Sequence, residues 1–260
     1  MVLRMNLSHR RPALRASGWH LLVSAGIASL AAWLVFGLWY PAPYSDLSGG
    51  RDLFLIVMAV DVICGPLLTL VLFNPRKPRR ELVTDLCLVA LIQLTALAYG
   101  VNTMALARPV FLAFEKDRFR VLASVDLFLE KLNQAPVALQ SFGYTGPKLI
   151  AVNVAKPEDP DYMQELDRAL EGRDSSTRPE RWVLYETQRD QVLAKAQPLP
   201  VLAQKYPERQ AELARLSAAT GVPDADLVWL PIRGRETMAW VALLNKKTTE
   251  VVGFAPFDGF

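Results

Sequence analysis

Three long apolar stretches constrain the fold of this 260-residue chain more than any other feature. These stretches are residues 19–39, 53–73 and 86–107. Apart from one histidine, they contain a single acidic or basic side chain, that of Asp61. A helix needs about 20 predominantly apolar residues to cross the roughly 30 Å hydrocarbon layer of a membrane. Each stretch meets that length, so the sequence predicts three transmembrane α-helices within residues 19–107.

The rest of the chain has a different composition. Residues 108–260 carry 20 of the 29 Lys and Arg residues and 21 of the 26 Asp and Glu residues, which gives them a net charge of −1. The segment is long enough to bury a hydrophobic core of its own. The chain as a whole is 52% hydrophobic, which excludes an intrinsically disordered protein. We therefore expect a separate folded domain over residues 108–260.

The first apolar stretch must be distinguished from a signal peptide. Residues 1–18 contain four Arg and no acidic residue, as the start of a signal peptide does. The apolar run that follows is too long for a signal peptide, and it ends at Trp39-Tyr40-Pro41 and not at a cleavage site with small residues. We expect an uncleaved helix that follows an 18-residue cytoplasmic tail.

Basic residues predict the orientation in the membrane. The tail has four Arg, and the loop 74–85 has four basic residues against two acidic ones. The loop 41–52 has one Arg against two Asp. Because Lys and Arg accumulate in cytoplasmic loops, the tail and the loop 74–85 are predicted to be cytoplasmic, and residues 108–260 lie on the opposite side. The net charge of +3 is thus a topology signal, and no nucleic-acid partner is expected.

Alternation of apolar residues and turn signals indicate an α+β fold for residues 108–260. In the predicted helix 160–171, Met163, Leu166 and Leu170 share one apolar face. Strands are expected at 110–115, 118–121, 149–154, 182–185, 227–232, 238–244 and 251–257, and helices at 123–133, 160–171 and 199–219, the last as one helix or two.

Residues suited to catalysis or metal binding are scarce. The two histidines, His9 and His20, lie at or before the first helix, and the two cysteines, Cys64 and Cys87, lie in apolar stretches. The domain 108–260 therefore cannot form a Ser-His-Asp triad or a zinc site built on His or Cys. We predict no catalytic residue, no metal, no cofactor and no enzymatic activity.

The second apolar stretch contains the most unusual residues. Asp61 lies eight residues after Leu53, about 12 Å along the helix axis. A carboxylate at the centre of a membrane helix costs about 2.5–3.5 kcal/mol on insertion scales, so Asp61 is expected to face protein or water and to have a partner. Gly65-Pro66 predicts a kink one turn later, and Thr69 is placed to satisfy the carbonyls that are freed.

Two interpretations of Asp61 remain open. It either bonds neighbouring helices and specifies their packing, with Ser24, Gln93, Thr95 and Tyr99 as possible partners, or forms a polar notch that receives another chain or holds a proton. Tyr99-Gly100 indicates a close helix contact. The candidate partner-binding or helix-packing residues are Asp61, Gly65, Pro66, Thr69, Gln93 and Tyr99.

Short motifs follow one another in a specific order along residues 19–121. They are Trp39-Tyr40-Pro41, Val60-Asp61, Gly65-Pro66-Leu67-Leu68-Thr69-Leu70, Phe73-Asn74-Pro75-Arg76-Lys77, Gln93, Ala96-Leu97, Tyr99-Gly100, Ala107-Arg108-Pro109, Phe114 and Asp117-Arg118-Phe119. This set resembles the type IV pilin accessory proteins of the TfpX/TfpZ type. The resemblance implies an inner-membrane protein of a Gram-negative bacterium that assists a cognate major pilin, with its C-terminal domain in the periplasm and no established catalytic residue.

The expected partners are therefore a major type IV pilin and the lipid of the inner membrane. Our hypothesis is that the helices dock the membrane helix of the pilin while the periplasmic α+β domain contacts its head, as a chaperone or assembly modulator. A membrane-anchored envelope scaffold or sensor without direct pilin contact is the alternative. A proton-coupled device built on Asp61 is a third possibility.

Overall fold

The computed structural model describes residues 10–74 and 76–260, which divide into two compact units. The helical unit contains the described residues up to Leu38 together with Gly50–Leu106, and the sheet unit contains Trp39–Gly49 and Ala107–Phe260. His9, most of the basic tail and Pro75 of the Asn-Pro-Arg-Lys motif lie outside the described residues.

Within the described residues, the helical unit has three helices that are long and apolar enough to span a membrane, as the apolar stretches predict. Each helix is longer than its apolar stretch at one end or more, because polar residues at the helix ends continue the same backbone conformation. Up to residue 107 the helical segments in chain order are α1 (Arg10–Ala32), a π-helix (Trp33–Trp39), α2 (Tyr44–Leu47), α3 (Gly50–Ala59), a second π-helix (Val60–Cys64), α4 (Gly65–Leu72) and α5 (Arg79–Ala107). Of these, α2 belongs to the sheet unit. The first long helix is α1 with its π-helical end, the second runs from α3 to α4, and the third is α5.

The sheet unit has an eight-stranded mixed sheet, which confirms the α+β prediction. Seven strands lie in the order β4-β3-β1-β2-β6-β7-β8, and β5 pairs with β6. The strands are β1 (Pro109–Glu115), β2 (Arg118–Ala123), β3 (Lys148–Val152), β4 (Trp182–Leu184), β5 (Gln197–Pro198), β6 (Leu227–Arg233), β7 (Trp240–Asn245) and β8 (Val251–Ala255). The α-helices that follow the first strand, all in the sheet unit, are α6 (Tyr162–Leu170), α7 (Arg189–Lys195), α8 (Leu199–Lys205) and α9 (Gln210–Ala219).

The centre of the sheet is a hairpin flanked by two parallel pairings. β1 and β2 are antiparallel and joined at Lys116-Asp117, β3 runs parallel to β1, and β6 runs parallel to β2. Because helices and loops cover both faces, β1 is buried over nearly its whole length. This explains why its sequence is continuously apolar from Val110 to Phe114.

Residues 39–49 connect the first two long helices, yet they belong to the core of the sheet unit. The side chain of Leu47 is completely buried, and the Tyr44 ring lies 5.6 Å from the Phe254 ring of β8. The Leu47 carbonyl accepts backbone hydrogen bonds from Arg235 at 2.8 Å and from Glu236 at 3.2 Å. The connection is therefore an integral part of the sheet unit.

The predicted helix over residues 123–133 is wrong. The segment forms two 3-10 turns, Ser124–Asp126 and Leu129–Gln134. The Asp126 carboxylate accepts the amide of Ala123, and the amide of Phe128 donates to the Thr177 carbonyl at 3.0 Å. An α-helix would need that second amide for its own i→i−4 bond, so the distant contact prevents the helix.

Helix α6 (Tyr162–Leu170) forms within the predicted amphipathic helix 160–171, and its apolar face is exposed. Met163, Leu166 and Leu170 are exposed, while Glu165 on the opposite side is buried. The Glu165 carboxylate accepts hydrogen bonds from two guanidinium groups, that of the buried Arg178 at 3.0 Å and that of Arg181 at 2.8 Å.

The charge state of Glu165 follows from these bonds. Burial alone would raise the pKa of this carboxyl, but the hydrogen bonds and charges of Arg178 and Arg181 outweigh it and lower the pKa from 4.5 to about 2. The ion cluster rather than apolar burial therefore orients α6.

Replacing Leu47 with Ala tests whether the first connection is part of the sheet core. We expect Leu47→Ala to destabilise the sheet unit by about 2–5 kcal/mol, because the substitution removes a fully buried side chain and leaves a cavity. Thermal unfolding of the purified protein, followed by near-ultraviolet circular dichroism, measures the change. Leu170→Ala, at an exposed leucine, is the matched control and should change stability by less than about 0.5 kcal/mol. Equal effects of the two variants would contradict the assignment.

Replacing Glu165 with Gln tests the ion cluster through its pH dependence. At neutral pH, Glu165→Gln should destabilise the sheet unit by about 3–5 kcal/mol, because Arg178 stays buried without this counter-charge. The folded-state pKa is depressed, so the contribution of the carboxylate is full above pH 4.5 and is lost as the pH falls towards about 2. Urea unfolding across this range should show the wild type and the variant converging. Glu171→Gln, at the exposed end of α6, is the control, and a gap that does not change with pH would refute the prediction.

Candidate functional site

A pocket of about 220 Å³ lies within the helical unit and is lined by all three long helices. Its polar lining residues are His20 and Ser24 from the first helix, Asp61 from the second and Gln93 from the third. The remaining lining residues are apolar: Val23, Ile27, Ala28, Met58, Ala90, Leu94 and Leu97. The structure thus brings Asp61 together in one site with two of its sequence-predicted partners, Ser24 and Gln93.

The Asp61 side chain is buried in this pocket with no hydrogen-bond donor. Asp61 is 8% exposed, and neither carboxylate oxygen has a partner among residues 10–74 and 76–260. The buried Oε1 of Gln93 also has none within the described chain. The helical unit therefore contains three buried acceptor oxygens for which the described residues provide no donor.

Gln93 bonds Asp61 through the main chain rather than through the carboxylate. Its Nε2 donates to the Asp61 backbone carbonyl at 2.9 Å. In the π-helix Val60–Cys64 the donor expected for that carbonyl is the amide of residue 66, and Pro66 has no N–H. The amide of Gln93 replaces the missing donor. The kink predicted at Gly65-Pro66 is thus realised as a π-helical segment with a side-chain bond across helices.

Gly65 makes that bond possible. A Cβ atom at this position would lie 2.0 Å from Gln93 Nε2, so a larger side chain would displace the amide. Thr95, another predicted partner of Asp61, instead donates to the Leu91 carbonyl of its own helix. The absence of a side chain at Gly65 therefore leaves the space in which the Gln93 amide makes its hydrogen bond.

Among the described residues, two side-chain hydrogen bonds join the first and second long helices. Ser17 Oγ donates to the Pro66 carbonyl at 2.8 Å, and His20 Nδ1 lies 2.5 Å from Thr69 Oγ1. Thr69 was expected to bond a freed carbonyl, but its partner is His20. Sequence reasoning missed His20, because a single histidine near a helix start gives no periodic signal.

The contact predicted at Tyr99-Gly100 is made by the glycine alone. Tyr99 is 74% exposed and does not line the pocket. A Cβ atom at Gly100 would lie 2.4 Å from Val57 Cγ1 of the second helix, so the two helices approach closely there. Tyr99 is a candidate for lipid or partner contact and not for the pocket.

Metal binding receives no support from the described part of the chain. Within it, no group of three or more His, Cys, Asp or Glu residues could hold a metal ion. What the pocket can do chemically is accept hydrogen bonds or compensate a positive charge in apolar surroundings, where such bonds are strong.

Three helices of membrane-spanning length, a largely apolar pocket with four polar residues between them and a mixed-sheet unit define a membrane-associated protein with a site suited to binding. Comparisons with known proteins identify the family. The chain is 36% identical over 237 residues to the fimbrial assembly protein of serogroup I from Dichelobacter nodosus, a match that covers 90% of this chain and 91% of the relative. It therefore belongs to the fimbrial assembly protein family.

Further matches agree with this assignment. The serogroup E1 protein of the same organism is 35% identical, with the same coverage of both chains. The protein of serogroups C1 and C2, also from Dichelobacter nodosus, is 45% identical over 123 residues, which cover 47% of this chain and 94% of that relative. Residues 8–49 match the family described as fimbrial assembly protein FimB. No solved structure matches this chain.

Substitution of Gly100 tests the close approach of the second and third helices. We expect Gly100→Ala to destabilise the helical unit by about 1–3 kcal/mol, because the added methyl group overlaps the branched side chain of Val57. Thermal unfolding in detergent, followed by far-ultraviolet circular dichroism, provides the measurement. The control is Gly26→Ala, where a Cβ meets no described atom within 4 Å. The double variant Val57→Ala, Gly100→Ala should recover part of the loss, and no recovery would argue against direct contact.

Proposed function

We propose that this protein is an inner-membrane accessory protein, a chaperone or assembly modulator, that binds a cognate type IV major pilin. Family membership supports a role in pilus assembly. The finer proposal, direct binding of a pilin, rests on the chemistry of the pocket. The alternative of an envelope scaffold without pilin contact predicts a different crosslinking result, described below.

The observation that carries the proposal is the set of three buried acceptor oxygens on Asp61 and Gln93. An unpaired polar group in apolar surroundings costs several kcal/mol, so a protein retains such groups where a partner satisfies them. The pocket is sized for side chains and not for a whole helix. The proposed occupant is therefore a donor group, an amide, hydroxyl or amine, carried by a membrane helix of the pilin.

The pocket wall favours an apolar helix as the carrier. Its lining is aliphatic apart from the four polar residues, and Leu94 is exposed on the same helix as Gln93. A helix that lies against this surface satisfies the acceptors and covers the apolar wall at once. Hydrogen bonds between membrane helices contribute about 0.6–2 kcal/mol each, so several contacts must act together.

The proposed orientation places the tail and the loop 74–85 in the cytoplasm and the sheet unit in the periplasm. Residues 39–49 share one hydrophobic core with residues 107–260, which supports an arrangement in which both segments lie on the same side of the membrane. Three crossings satisfy this requirement. The exposed apolar residues Met163, Leu166 and Leu170 of α6 are the proposed contact with the pilin head.

Photocrosslinking in living cells tests the pocket directly. A photoreactive residue at Leu97, which lines the pocket, should form an adduct with the major pilin. The same residue at Leu91, exposed on the same helix outside the pocket, is the matched control and should not. Adducts at Leu97 with other envelope proteins and none with pilin would favour the scaffold alternative.

A substitution of Asp61 links the pocket to pilus assembly. Asp61→Leu should abolish the Leu97 adduct and lower surface pili about tenfold or more, the effect of losing about 1.4 kcal/mol of binding. Asp61→Asn, which keeps an acceptor oxygen, should retain part of the activity. The control is Asp85→Leu, a carboxylate outside the pocket that pairs with Lys77 at 2.5 Å. Normal piliation with well-expressed Asp61→Leu would overturn the proposal.

A further inference from the structure

The chain passes between the helical unit and the sheet unit three times, next to Trp39, Gly49 and Ala107. Within the sheet unit, the second and third of these junctions lie against other segments of that unit. A Cβ atom at Gly49 would lie 2.7 Å from Glu236 Cγ, and the amide of Ser124 donates to the Arg108 carbonyl at 3.4 Å. We call this region the junction end of the sheet unit.

Two loops complete the junction end. The loop 137–146 reaches it through Gly146, whose Cβ position is 3.3 Å from Pro41, and through Tyr144, whose ring lies 5.9 Å from the guanidinium carbon of Arg108. The loop 234–238 reaches it through the bond from the Arg235 amide to the Leu47 carbonyl. Arg235 also pairs with Asp126 at 3.6 Å.

Large apolar side chains are exposed on these two loops. Val137 is 83% exposed, Tyr144 is 78% exposed and Met238 is 53% exposed. Val137 is held in place, because Lys148 Nζ donates to the carbonyls of Ala138 and Ser141 in the same loop. The backbone that follows Val137 is therefore tied to the start of β3.

The junction end contains tyrosine and arginine side chains, which are typical of membrane interfaces. Tyr and Trp concentrate at the headgroup level, and Arg places its charge there while its stem lies on apolar surface. Tyr40 and Arg108 directly follow the first and third long helices along the chain. Burial raises the pKa of Tyr40 to about 12 although Arg235 and Arg108 oppose the shift, which agrees with a neutral phenol close to both arginines.

The opposite end of the sheet provides a comparison. β1 leads away from Arg108 for seven residues, about 23 Å, to the turn at Lys116. A cleft there is lined by Lys116, Leu166 and Ala169, so α6 lies at this far end. Both ends expose apolar side chains, but the three junctions with helices of membrane-spanning length lie at one end only.

We propose that the junction end of the sheet unit rests on the lipid bilayer, with Val137, Tyr144 and Met238 inserted at the boundary between headgroups and acyl chains. The partner is membrane lipid, and the contact does not depend on pilin binding. Three covalent connections and an inserted apolar rim together fix the orientation of the sheet unit on the membrane, as interfacial apolar side chains do in peripheral proteins.

The full-length protein in vesicles of phosphatidylethanolamine and phosphatidylglycerol tests the proposal. Cys64 and Cys87 are free, exposed thiols and are first replaced by Ala. A single Cys is then introduced by Val137→Cys, Tyr144→Cys or Met238→Cys and labelled with an environment-sensitive fluorophore. The expected result is a blue-shifted emission that lipids with a quencher on the upper acyl chain suppress.

Leu170→Cys, at an exposed position of α6 at the far end, is the control and should emit as in water without quenching by lipid. Circular dichroism identical to that of the parent protein verifies folding of each variant. Water-like emission at all three test positions would overturn the proposal. Blue-shifted emission that lipid-borne quenchers do not reduce would overturn it as well, because it would indicate contact with protein.

Discussion

The packing of residues 39–49 into the sheet core is the interaction on which the rest of the architecture depends. Tyr44 and Leu47 fill one face of the sheet together with Phe114, Phe119 and side chains of the C-terminal strands. Full burial of one such side chain contributes about 1.5–3 kcal/mol. The segment is bounded on both sides by long helices, so the sheet unit cannot complete its core independently of them. Its core forms only when residues 39–49 and 107–260, which two long helices separate along the chain, come together.

Hydrogen bonding in apolar surroundings is the second constraint, and it separates polar groups that have a partner from those that have none among the described residues. Pro66 removes a donor from the second helix, and Gln93 from the third helix replaces it at the Asp61 carbonyl. Ser17 bonds the Pro66 carbonyl, and His20 bonds Thr69. Main-chain groups at the π-helix are thus satisfied by neighbouring helices. The Asp61 carboxylate, in contrast, has no donor among the residues described, which sets it apart as a group suited to a partner.

The sequence predicted those features that depend on local pattern. The three long helices follow from uninterrupted apolar runs, and strands such as β1 and β6 follow from apolar segments bounded by turns. The failures involve contacts between residues distant in the chain. The helix over 123–133 is replaced by turns because Phe128 bonds Thr177, and α6 exposes its apolar face because its buried side holds Glu165 against Arg178 and Arg181. Neither partner is visible from periodicity.

For the candidate site as well, the sequence revealed residues that stand out locally and missed those whose partners are distant in the chain. A carboxylate in an apolar stretch identifies Asp61 without structural information, and Gln93 is conspicuous in the third stretch. His20 was missed because its relevance depends on Thr69, 49 residues away. The connection 39–49 reads as an ordinary loop with two prolines, and only the spacing of Tyr44 and Leu47 on one helical face indicates burial. Tyr99 and Gly100 are neighbours in the chain, and successive residues on a helix point about 100° apart. Gly100 therefore contacts the second helix while Tyr99 is exposed.

The proposed pilin binding gains specificity from the combination of two surfaces. Many membrane helices carry a hydrogen-bond donor, so the pocket acceptors reject helices without one but do not choose among those that have one. The exposed apolar face of α6 belongs to a different unit and, in the proposed arrangement, would contact a different part of the pilin. Two weak contacts on one chain strengthen each other, because the first contact raises the effective concentration of the partner at the second. Discrimination among pilins, on this view, resides in the sheet unit, while the pocket selects the class of helix.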